Sequence, residues 1–586
     1  MPASMQFVAW RLASVRSVAD AARVLTATTA SMRNPALGAA ALLFILASAA
    51  HAGTAATPAA MAAYAEQLLD AQKVGRDGPG VTVLVARGDQ LLYKGARGMA
   101  SVELGVPLQP DQLMRIGSVT KQFAAAALLK QIDEGKAKFD DPLSKFLPDY
   151  PNGSQITLLQ LLNHTSGVKS YTGIEGYMMN PVRRDLSTAE LIQEFKNQPV
   201  DFKPGEKWAY NNSGYVLLGA VVEAISGRSW HQSIDELLLK PAHITSVHYQ
   251  AGDVLFKGMV QGYTLNHRGE VAPAGILSMT QPHAAGALIA NVEGLWRWNQ
   301  ALHGGRLISP TSYQRMITPE GPAKSANYGF GIGATTLRGQ PLLSHGGGIH
   351  GFASMLSYLP KSQTTVVILR NSDGPGFAMD LVARKLAAFA IGEPFAEPKA
   401  VEVPAEVLKA MEGVYGREGG QSRTLRLRDG VLYSQRGSGR GNALIPLGQD
   451  RFAIPDSLTE LQVERDATGR PAAVLVFNNG EPDAERWARA GDLPAQAAFI
   501  TLTPVQMQAL VGEYTSPQFS IRVSIDEQGR LKGQAPGQPS FELKATTPRR
   551  AHVPEVGAQL DFGGDEGPAT SVTLTQRGTQ LVMARK

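Results

Sequence analysis

Two copies of a serine-x-x-lysine pattern are the part of this sequence best suited to nucleophilic chemistry. One is SVTK at residues 118–121 and the other is SGVK at residues 166–169. A serine hydroxyl becomes a nucleophile when a nearby base accepts its proton, and a lysine amine is such a base once burial lowers its pKa. Because roughly one or two copies are expected by chance in a chain of this length and composition, the surroundings of each copy must distinguish them.

The first copy stands at the start of a predicted helix. Apolar residues follow Ser118 at helical spacing, and Gly135 is suited to end the helix. Ser118 would then lie near the free N–H groups of a helix N-terminus, which favour developing negative charge, with Lys121 on the same face. The second copy is split by Gly167 and continues into no helical pattern. We therefore predict that Ser118 is the nucleophile and Lys121 its base, and that residues 166–169 form a turn.

Two other short patterns also occur twice. The tyrosine-x-asparagine pattern occurs at residues 150–152, where its central proline favours a turn, and at 210–212, directly before an apolar helix predicted over 215–225. The HGG triplet occurs at 303–305, at the end of a predicted helix, and at 345–347, between predicted strands, where glycines let a ligand approach the backbone. We predict that the second copy of each pattern belongs to the site.

The composition excludes several classes of function. The 586 residues carry a formal net charge of +5, but no run of Lys or Arg is interleaved with aromatic residues, so nucleic-acid binding is not expected. There is no cysteine, which removes disulfides, cysteine metal sites, a cysteine nucleophile and a lipoprotein anchor. The histidines form no H-E-x-x-H pair, so we expect no metal site.

An export signal is predicted near the N-terminus. Arg33 precedes an apolar core at residues 39–47 that is too short to span a bilayer, and Ala-His-Ala at the end of this segment is a suitable cleavage site. The alternative is a buried helix. We predict that residues 1–52 are a signal peptide with an upstream extension, and that translation begins at Met32. The mature protein would start near Gly53, be periplasmic or secreted, and keep no membrane span.

The pattern of predicted helices and strands after the export signal indicates an α/β domain over residues 53–392. A helix over 59–74 and strands around residues 81–93 come first, a helix-rich stretch over 118–318 follows, and more strands and a helix end the domain. A sheet begun by the N-terminal segment and completed by the C-terminal one would enclose a helical insert and be covered by helices. The later strands are predicted at 328–335, 352–358 and 365–369, and the last helix at 377–391.

Two copies of one all-β module are predicted after a linker at residues 393–404 that is rich in Pro and Glu. Three pairs of matching landmarks are each separated by 99 residues. Each copy would be a small antiparallel barrel, because closure removes exposed strand edges. The predicted modules span residues 405–495 and 496–586. The landmarks are Gly413 and Gly512, Gly430 and Gly529, and Gln462 and Asp561.

The selected residues together resemble the signature elements of the penicillin-recognising serine hydrolases, which include class C β-lactamases, D,D-peptidases, related esterases and D-aminopeptidases. The elements are the SVTK copy at 118–121, Tyr210 with Asn212, and the HGG triplet at 345–347. They occur in the family's order, and the resemblance covers about residues 60–392. Flanking segments also match: HTSG at 164–167, YVLLG at 215–219, YGFG at 328–331 and GF at 351–352.

This resemblance implies a β-lactamase-like antiparallel sheet flanked by helices, a helical subdomain, and an acyl-enzyme mechanism without a cofactor. Lys121 and Tyr210 would share the proton transfers. The nearby lysine would lower the pKa of Tyr210, which would protonate the leaving group. The backbone N–H groups of Ser118 and Gly348 would form the oxyanion hole, and Asn212 would bind a substrate amide.

The third element departs from the β-lactamase form, which has a lysine where His345 stands. A neutral histidine supplies less charge for a substrate carboxylate, so the sequence disfavours penicillins and favours amides, esters or peptides with a free amino end. His345 is predicted to contact the substrate together with Gly346 and Gly347. The two barrels and this histidine resemble D-aminopeptidases, in which the last barrel offers a carboxylate to the substrate amine. Glu555 is the one acid in the matching stretch here.

Alternatives stay open for single residues and for the whole protein. Ser118 would also suit a helix N-cap, Tyr210 a core position, Asn212 a turn, and His345 a structural contact on the sheet. The alternative functions are a promiscuous esterase, a β-lactamase or D,D-peptidase, a peptidoglycan or β-lactam sensor that is acylated without turnover, and an inactive fold whose barrels bind a partner. The sequence predicts a small peptide, amide or ester substrate and leaves the oligomeric state open.

Overall fold

The computed structural model describes residues 56–586 with short gaps. The predicted signal peptide at residues 1–52 and the candidate acid Glu555 lie outside the described residues. In the described part of the chain, no helix is both long enough and apolar enough to cross a membrane. The gaps are residues 251–253, 267, 438, 440, 494–498, 517–518, 536–539, 555 and 577–578.

Strands and helices alternate in blocks along the first part of the chain. The strands are β1 Val81–Arg87, β2 Gln90–Arg97, β3 Met99–Ser101, β4 Val106–Pro107, β5 Met114–Arg115, β6 Val247–Tyr249, β7 Tyr263–Leu265, β8 Val271–Pro273, β9 Leu288–Ala290, β10 Gly333–Leu337, β11 Gln340–Ile349, β12 Phe352–Leu359 and β13 Thr364–Arg370. The α-helices among the described residues are α1 Pro58–Ala71, α2 Thr120–Asp133, α3 Leu158–Leu162, α4 Thr188–Phe195, α5 Asn212–Ser226, α6 Trp230–Ile234, α7 His283–Gly286, α8 Val292–His303, α9 Pro310–Ile317, α10 Met379–Ala390, α11 Ala405–Ala410 and α12 Pro504–Leu510.

A six-stranded sheet joins both ends of this first part, in the order β10-β11-β12-β13-β1-β2, with antiparallel neighbours. Side chains of the central strands alternate between two cores. Val83 and Ile368 pack into a core with α1 and α10, whereas Leu84 and Val367 pack into a core with helices of the insert. Because β1 and β13 are buried on both faces, they are apolar throughout. The predicted fold class is confirmed.

The structure differs from the sequence prediction near the third signature element. The strand predicted from residue 328 begins only at Gly333, because the chain bends at Gly331, where φ is +70°. A Cβ on Gly331 would lie 2.8 Å from the backbone of Lys121, so the bend fits against α2. The HGG triplet lies in the interior of β11, which lacks the alternation of apolar side chains that marks other strands. Short strands β6 to β9 also interrupt the stretch predicted to be helix-rich.

Two nine-stranded antiparallel sheets follow, and their strand orders are the same: β17-β16-β15-β14-β22-β21-β20-β19-β18 and β26-β25-β24-β23-β31-β30-β29-β28-β27. In each sheet the two edge strands are separated by one residue, Leu444 or Leu543, so the sheet curls into a nearly closed barrel. The Tyr415 hydroxyl donates to a backbone carbonyl four residues earlier at 2.7 Å, and Tyr514 does the same at 2.8 Å. The predicted pair of barrels is confirmed.

The barrel strands have the following bounds. In the first barrel they are β14 Gly413–Arg417, β15 Gln421–Arg428, β16 Val431–Arg436, β17 Asn442–Ala443, β18 Ile445–Gly448, β19 Arg451–Ala453, β20 Glu460–Arg465, β21 Pro471–Phe477 and β22 Ala484–Gly491. In the second they are β23 Gly512–Thr515, β24 Ser520–Ile525, β25 Leu531–Gln534, β26 Phe541–Glu542, β27 Lys544–Thr547, β28 Arg550–Val553, β29 Ala558–Gly563, β30 Ser571–Gln576 and β31 Thr579–Arg585.

Candidate active site

Ser118 lies in a single 3-10 turn, Gly117–Val119, between β5 and the start of α2. Gly117 has φ of +49°, and a Cβ there would lie 3.0 Å from the backbone nitrogen of Gly348. A Cβ on Gly347 would lie 2.0 Å from the backbone oxygen of Ile116. The two glycines therefore let the serine turn and β11 approach more closely than side chains would permit. The predicted helix end is also present, since Gly135 has φ of +73° just after α2.

Lys121 is fully buried in the first turn of α2 and has three polar neighbours. Its Nζ lies 2.9 Å from the backbone oxygen of Ala285, 2.8 Å from Asn212 Oδ1 and 3.1 Å from Ser118 Oγ. Burial lowers the pKa of the amine well below its usual value, which favours the neutral form. A neutral amine has two N–H donors and one lone pair. Since the oxygens of Ala285 and Asn212 only accept, they take both donors, and the lone pair is left for the Ser118 hydroxyl.

Asn212 is the first residue of α5 and is held between two parts of the protein. Its side-chain oxygen accepts from Lys121, and its Nδ2 donates to Thr172 Oγ1 at 3.1 Å. Its backbone nitrogen donates to Ser170 Oγ at 3.2 Å. The side-chain oxygen of Asn212 thus orients Lys121. Because an amide nitrogen carries two N–H groups, the contact with Thr172 leaves the second for the substrate amide that was predicted to bind here.

Tyr210 lies over the amine, with its ring centroid 4.7 Å from Lys121 Nζ. Although the ring is 39% exposed, desolvation by the surrounding protein raises the pKa of its hydroxyl, and a hydrogen bond with the Ser118 side chain lowers it by less. The prediction of a lowered pKa for Tyr210 is wrong for this state of the site, because a neutral Lys121 supplies no charge to stabilise a phenolate. Tyr210 is therefore protonated and can donate a proton.

His345 is only 8% exposed, and both of its ring nitrogens are engaged. Nδ1 donates to the backbone oxygen of Gly346 at 2.6 Å, so Nε2 accepts from the Tyr328 hydroxyl at 2.8 Å. Burial lowers the pKa of this imidazole to about 4, which keeps it neutral. The ring therefore has no free nitrogen for the substrate contact predicted from the sequence. The backbones of Gly346 and Gly348 are exposed at the same edge of β11.

The rejected copies of the three patterns lie in structural settings. Ser166 is 1% exposed, its Oγ accepts from Val168 N at 3.5 Å, and it stands in a bend rather than a helix. Lys169 Nζ, three residues on, is 2.9 Å from Asp201 Oδ1, so its amine is part of a surface ion pair. His303 bonds the Tyr313 hydroxyl at 2.8 Å at the end of α8. The contacts described for Ser166, Lys169 and His303 therefore do not pair a serine hydroxyl with a base.

Two residues that shape the site, His164 and Tyr328, were not predicted as site residues and belong to segments that flank the signature elements. His164 has φ of +61°, and its Nδ1 accepts from the backbone nitrogen of Asn211 at 3.2 Å. Its ring centroid lies 4.5 Å from that of Tyr210 and 4.9 Å from that of Tyr328. Burial lowers the pKa of His164 well below its usual value, so it adds no positive charge beside Lys121. The sequence signal for both was their place in the HTSG and YGFG segments.

Comparisons with known proteins cover the region that holds this site. The Beta-lactamase family model matches residues 65–390, which is more than half of the chain. Among relatives, "Putative penicillin-binding protein PbpX" of Bacillus subtilis (strain 168) is 30% identical over 290 residues, covering 50% of this chain and 70% of the relative. "Penicillin-binding protein 4*" of the same organism is 23% identical over 433 residues, covering 69% and 94%. Among solved structures, the octameric penicillin-binding protein homologue from Pyrococcus abyssi is 25% identical with a TM-score of 0.52, covering 71% of this chain and 96% of that chain.

Proposed function

Because this chain belongs to the Beta-lactamase family and is a serine hydrolase, we propose that Ser118 forms an acyl intermediate with small amide or ester substrates. The observation that carries this proposal is the set of contacts around Lys121. Two obligatory acceptors take the N–H donors of a neutral buried amine and leave its lone pair 3.1 Å from Ser118 Oγ. An amine held in this way is a general base for the serine hydroxyl.

The proposed reaction has two halves. Ser118 Oγ attacks the substrate carbonyl and passes its proton to Lys121, while the N–H groups of Ser118 and Gly348 bind the oxyanion. When the tetrahedral intermediate collapses, the Tyr210 hydroxyl protonates the leaving group and is reprotonated from Lys121. Water then attacks the acyl-serine, and the same groups return the proton to Ser118. In this scheme Asn212 orients Lys121, and His345 fixes the backbone of β11. Gly346 and Gly347 offer backbone groups of that strand to the substrate.

The proposed substrates are small amides and esters, with amides of D-amino acids as the finer candidate. The neutral His345 supplies no charge for a carboxylate beside β11, which disfavours penicillins and free-carboxylate peptides there. The two barrels after the family domain resemble the layout of D-aminopeptidases. The strands β28 and β29 pair as a hairpin with a short connection, and the candidate acid Glu555 lies outside the described residues. We propose domain limits of 53–392, 405–495 and 496–586, with a linker at 393–404.

A second candidate function follows from the relatives' names, both of which refer to penicillin binding. It is an acyl-trapping protein that reacts with a β-lactam or peptidoglycan but does not turn over. A stable gain of mass on the protein without release of product distinguishes it from an enzyme.

A substrate panel tests the proposed chemistry. We expect hydrolysis of p-nitrophenyl butyrate, and faster release of p-nitroaniline from the D-alanine than from the L-alanine anilide, by roughly tenfold, which is about 1.4 kcal/mol. A chromogenic cephalosporin should be the poorest substrate, because the neutral His345 in β11 supplies no positive charge for its carboxylate. Rapid turnover of the cephalosporin together with inertness toward the ester and both anilides would contradict the proposal.

Export is a separate proposal that rests on the short apolar core at 39–47 and the cleavage site after Ala52. We propose that the mature protein is periplasmic or secreted. N-terminal sequencing of the mature protein should begin at or near Gly53. Recovery of the protein in the cytoplasm with Met1 intact would contradict this.

A further inference from the structure

A cavity of about 600 Å³ lies close to the serine turn, and Arg115, His350 and Phe352 contribute to its lining. It lies between the end of β5, the β3–β4 hairpin, the segments on either side of the β7–β8 hairpin and the turn that follows β11, with Gln250 after β6 also in its wall. The turn fits closely, since a Cβ on Gly351 would lie 2.6 Å from Ala274, and a Cβ on Gly262 would lie 2.6 Å from the Phe352 ring. The cavity is therefore bounded by glycine backbones packed closely against the side chains of Ala274 and Phe352.

Arg115 is the cation in the wall of this cavity. Its Nε donates to Gln250 Oε1 at 2.8 Å, and its guanidinium lies 5.7 Å from the centre of the Phe352 ring. Among the described residues it has no carboxylate partner. Burial lowers the pKa of Arg115 to about 10, so it remains charged at neutral pH. A partly desolvated guanidinium without an anion attracts one strongly, because the surrounding protein screens its charge less than water does.

The rest of the lining combines one more polar group with an apolar rim. His350 Nδ1 is buried and has no hydrogen-bond partner in the part of the chain that the structure describes, which is costly for a polar atom unless a ligand or water fills the gap. At the mouth, Leu104 is 78% exposed and Ile276 is 70% exposed. A ligand with a short apolar chain and a terminal anion would cover the rim and reach Arg115.

The cavity is close to the nucleophile along the chain. Arg115 precedes Ser118 by three residues, so their Cα atoms are at most about 11 Å apart even if the segment is fully extended. His350 follows Gly348, whose N–H belongs to the proposed oxyanion hole, by two residues. Tyr210, the proposed proton donor, contacts a different group of residues, which includes His164 and Tyr328. Arg115 and His350 therefore place the cavity wall within three residues of Ser118 on one segment and within two residues of Gly348 on another.

We propose that this cavity is an acyl-group subsite in which Arg115 binds a carboxylate at the far end of the substrate's acyl chain. The inference rests on the proposed function and narrows its substrates to acyl groups such as a dicarboxylate half-ester or half-amide. In this arrangement Arg115, and not the residue at position 345, would supply the positive charge that holds the substrate anion, on the acyl side of the scissile bond.

Matched esters test this subsite. We expect wild-type protein to hydrolyse the p-nitrophenyl monoester of adipate with higher kcat/KM than p-nitrophenyl hexanoate, which has the same chain length without the charge. Arg115→Met should lower the adipate-to-hexanoate ratio by roughly 30-fold, or about 2 kcal/mol, and leave hexanoate hydrolysis within about threefold of wild type. Arg115→Lys keeps the charge and should retain most of the preference.

Two controls separate the possible outcomes. Arg268→Met removes an exposed arginine from the neighbouring β7–β8 hairpin and should leave the ratio unchanged. An ester that carries the carboxylate on its phenol leaving group, and not on its acyl chain, should have a kcat/KM that does not change between wild type and Arg115→Met. If wild type cleaves hexanoate but Arg115→Met keeps the wild-type ratio, the subsite is refuted while the proposed function stands. If wild type cleaves the alanine anilides but neither ester, the subsite is refuted while the proposed function stands. If it cleaves neither the esters nor the anilides, the proposed function fails and the subsite with it.

Discussion

Replacement of Ser118 by alanine is expected to lower kcat/KM for p-nitrophenyl butyrate by a factor on the order of 10⁴ to 10⁶, as expected when the nucleophile of an acyl-transfer site is removed. The loss is large because the neighbouring groups act as a unit. Lys121 without the serine hydroxyl has no proton to accept, and Tyr210 has no acyl intermediate to serve. The substitution removes one hydroxyl from a half-buried 3-10 turn, so the fold should be retained.

The matched control for this variant is Ser166→Ala. Ser166 belongs to the other serine-x-x-lysine copy, but its side chain accepts from a backbone N–H in a bend and its lysine pairs with Asp201. We expect wild-type activity within about threefold. An active Ser118→Ala variant with an inactive Ser166→Ala variant would show that the wrong copy was chosen.

Lys121→Met should have the second largest effect, a loss of about 10³-fold in kcat/KM, because it removes the general base and keeps the length of the side chain. In wild type the activity should rise with pH as Lys121 loses its proton, at a pH well below the usual lysine pKa. The kcat/KM of Lys121→Met should not rise with pH over this range. Lys169→Met, in the serine-x-x-lysine copy at residues 166–169, should keep both the wild-type activity and its rise with pH.

The same substitution has a consequence for stability. The pKa of Lys121 is lowered in the folded protein, whereas the unfolded chain has a lysine pKa near 10.4. Between the folded pKa and that value the unfolded state binds more protons, so the free energy of unfolding rises with pH. Urea unfolding of wild type should show this rise relative to Lys121→Met across that window. Equal pH dependence of the two proteins would mean that Lys121 is not held neutral.

The sequence was sufficient for the order of the main elements. Strands such as β1 and β13 are buried on both faces and are therefore apolar throughout, and the barrels repeat at a constant spacing of 99 residues. The choice between the two serine copies also followed from local pattern, because α2 continues from Ser118 and no helix continues from Ser166. The apolar strands and the helix start are visible in short stretches of sequence, and the repeat is visible by aligning two such stretches, so neither requires knowledge of long-range contacts.

The details of the site depended on contacts that no local pattern contains. Lys121 meets Asn212 and the carbonyl of Ala285, which are 91 and 164 residues away in the chain. Periodicity therefore indicated that a lysine was near the serine, but not that two acceptors hold it neutral. The role expected of His345 changed for the same reason, since its partner Tyr328 lies before the bend at Gly331, in an isolated β-bridge with Gly333 and not in the strand that the sequence predicted.

The most direct test of the central claim is to trap the acyl-enzyme and locate the acyl group. Wild-type protein turning over p-nitrophenyl hexanoate would be quenched in acid, digested with trypsin and examined by mass spectrometry. Cleavage after Arg115 and Lys121 releases residues 116–121 with Ser118, and cleavage after Lys145 and Lys169 releases residues 146–169 with Ser166. We predict a hexanoyl group on the peptide 116–121 and its absence in Ser118→Ala. Hexanoyl on 146–169, or turnover without any acylated peptide, would contradict the account.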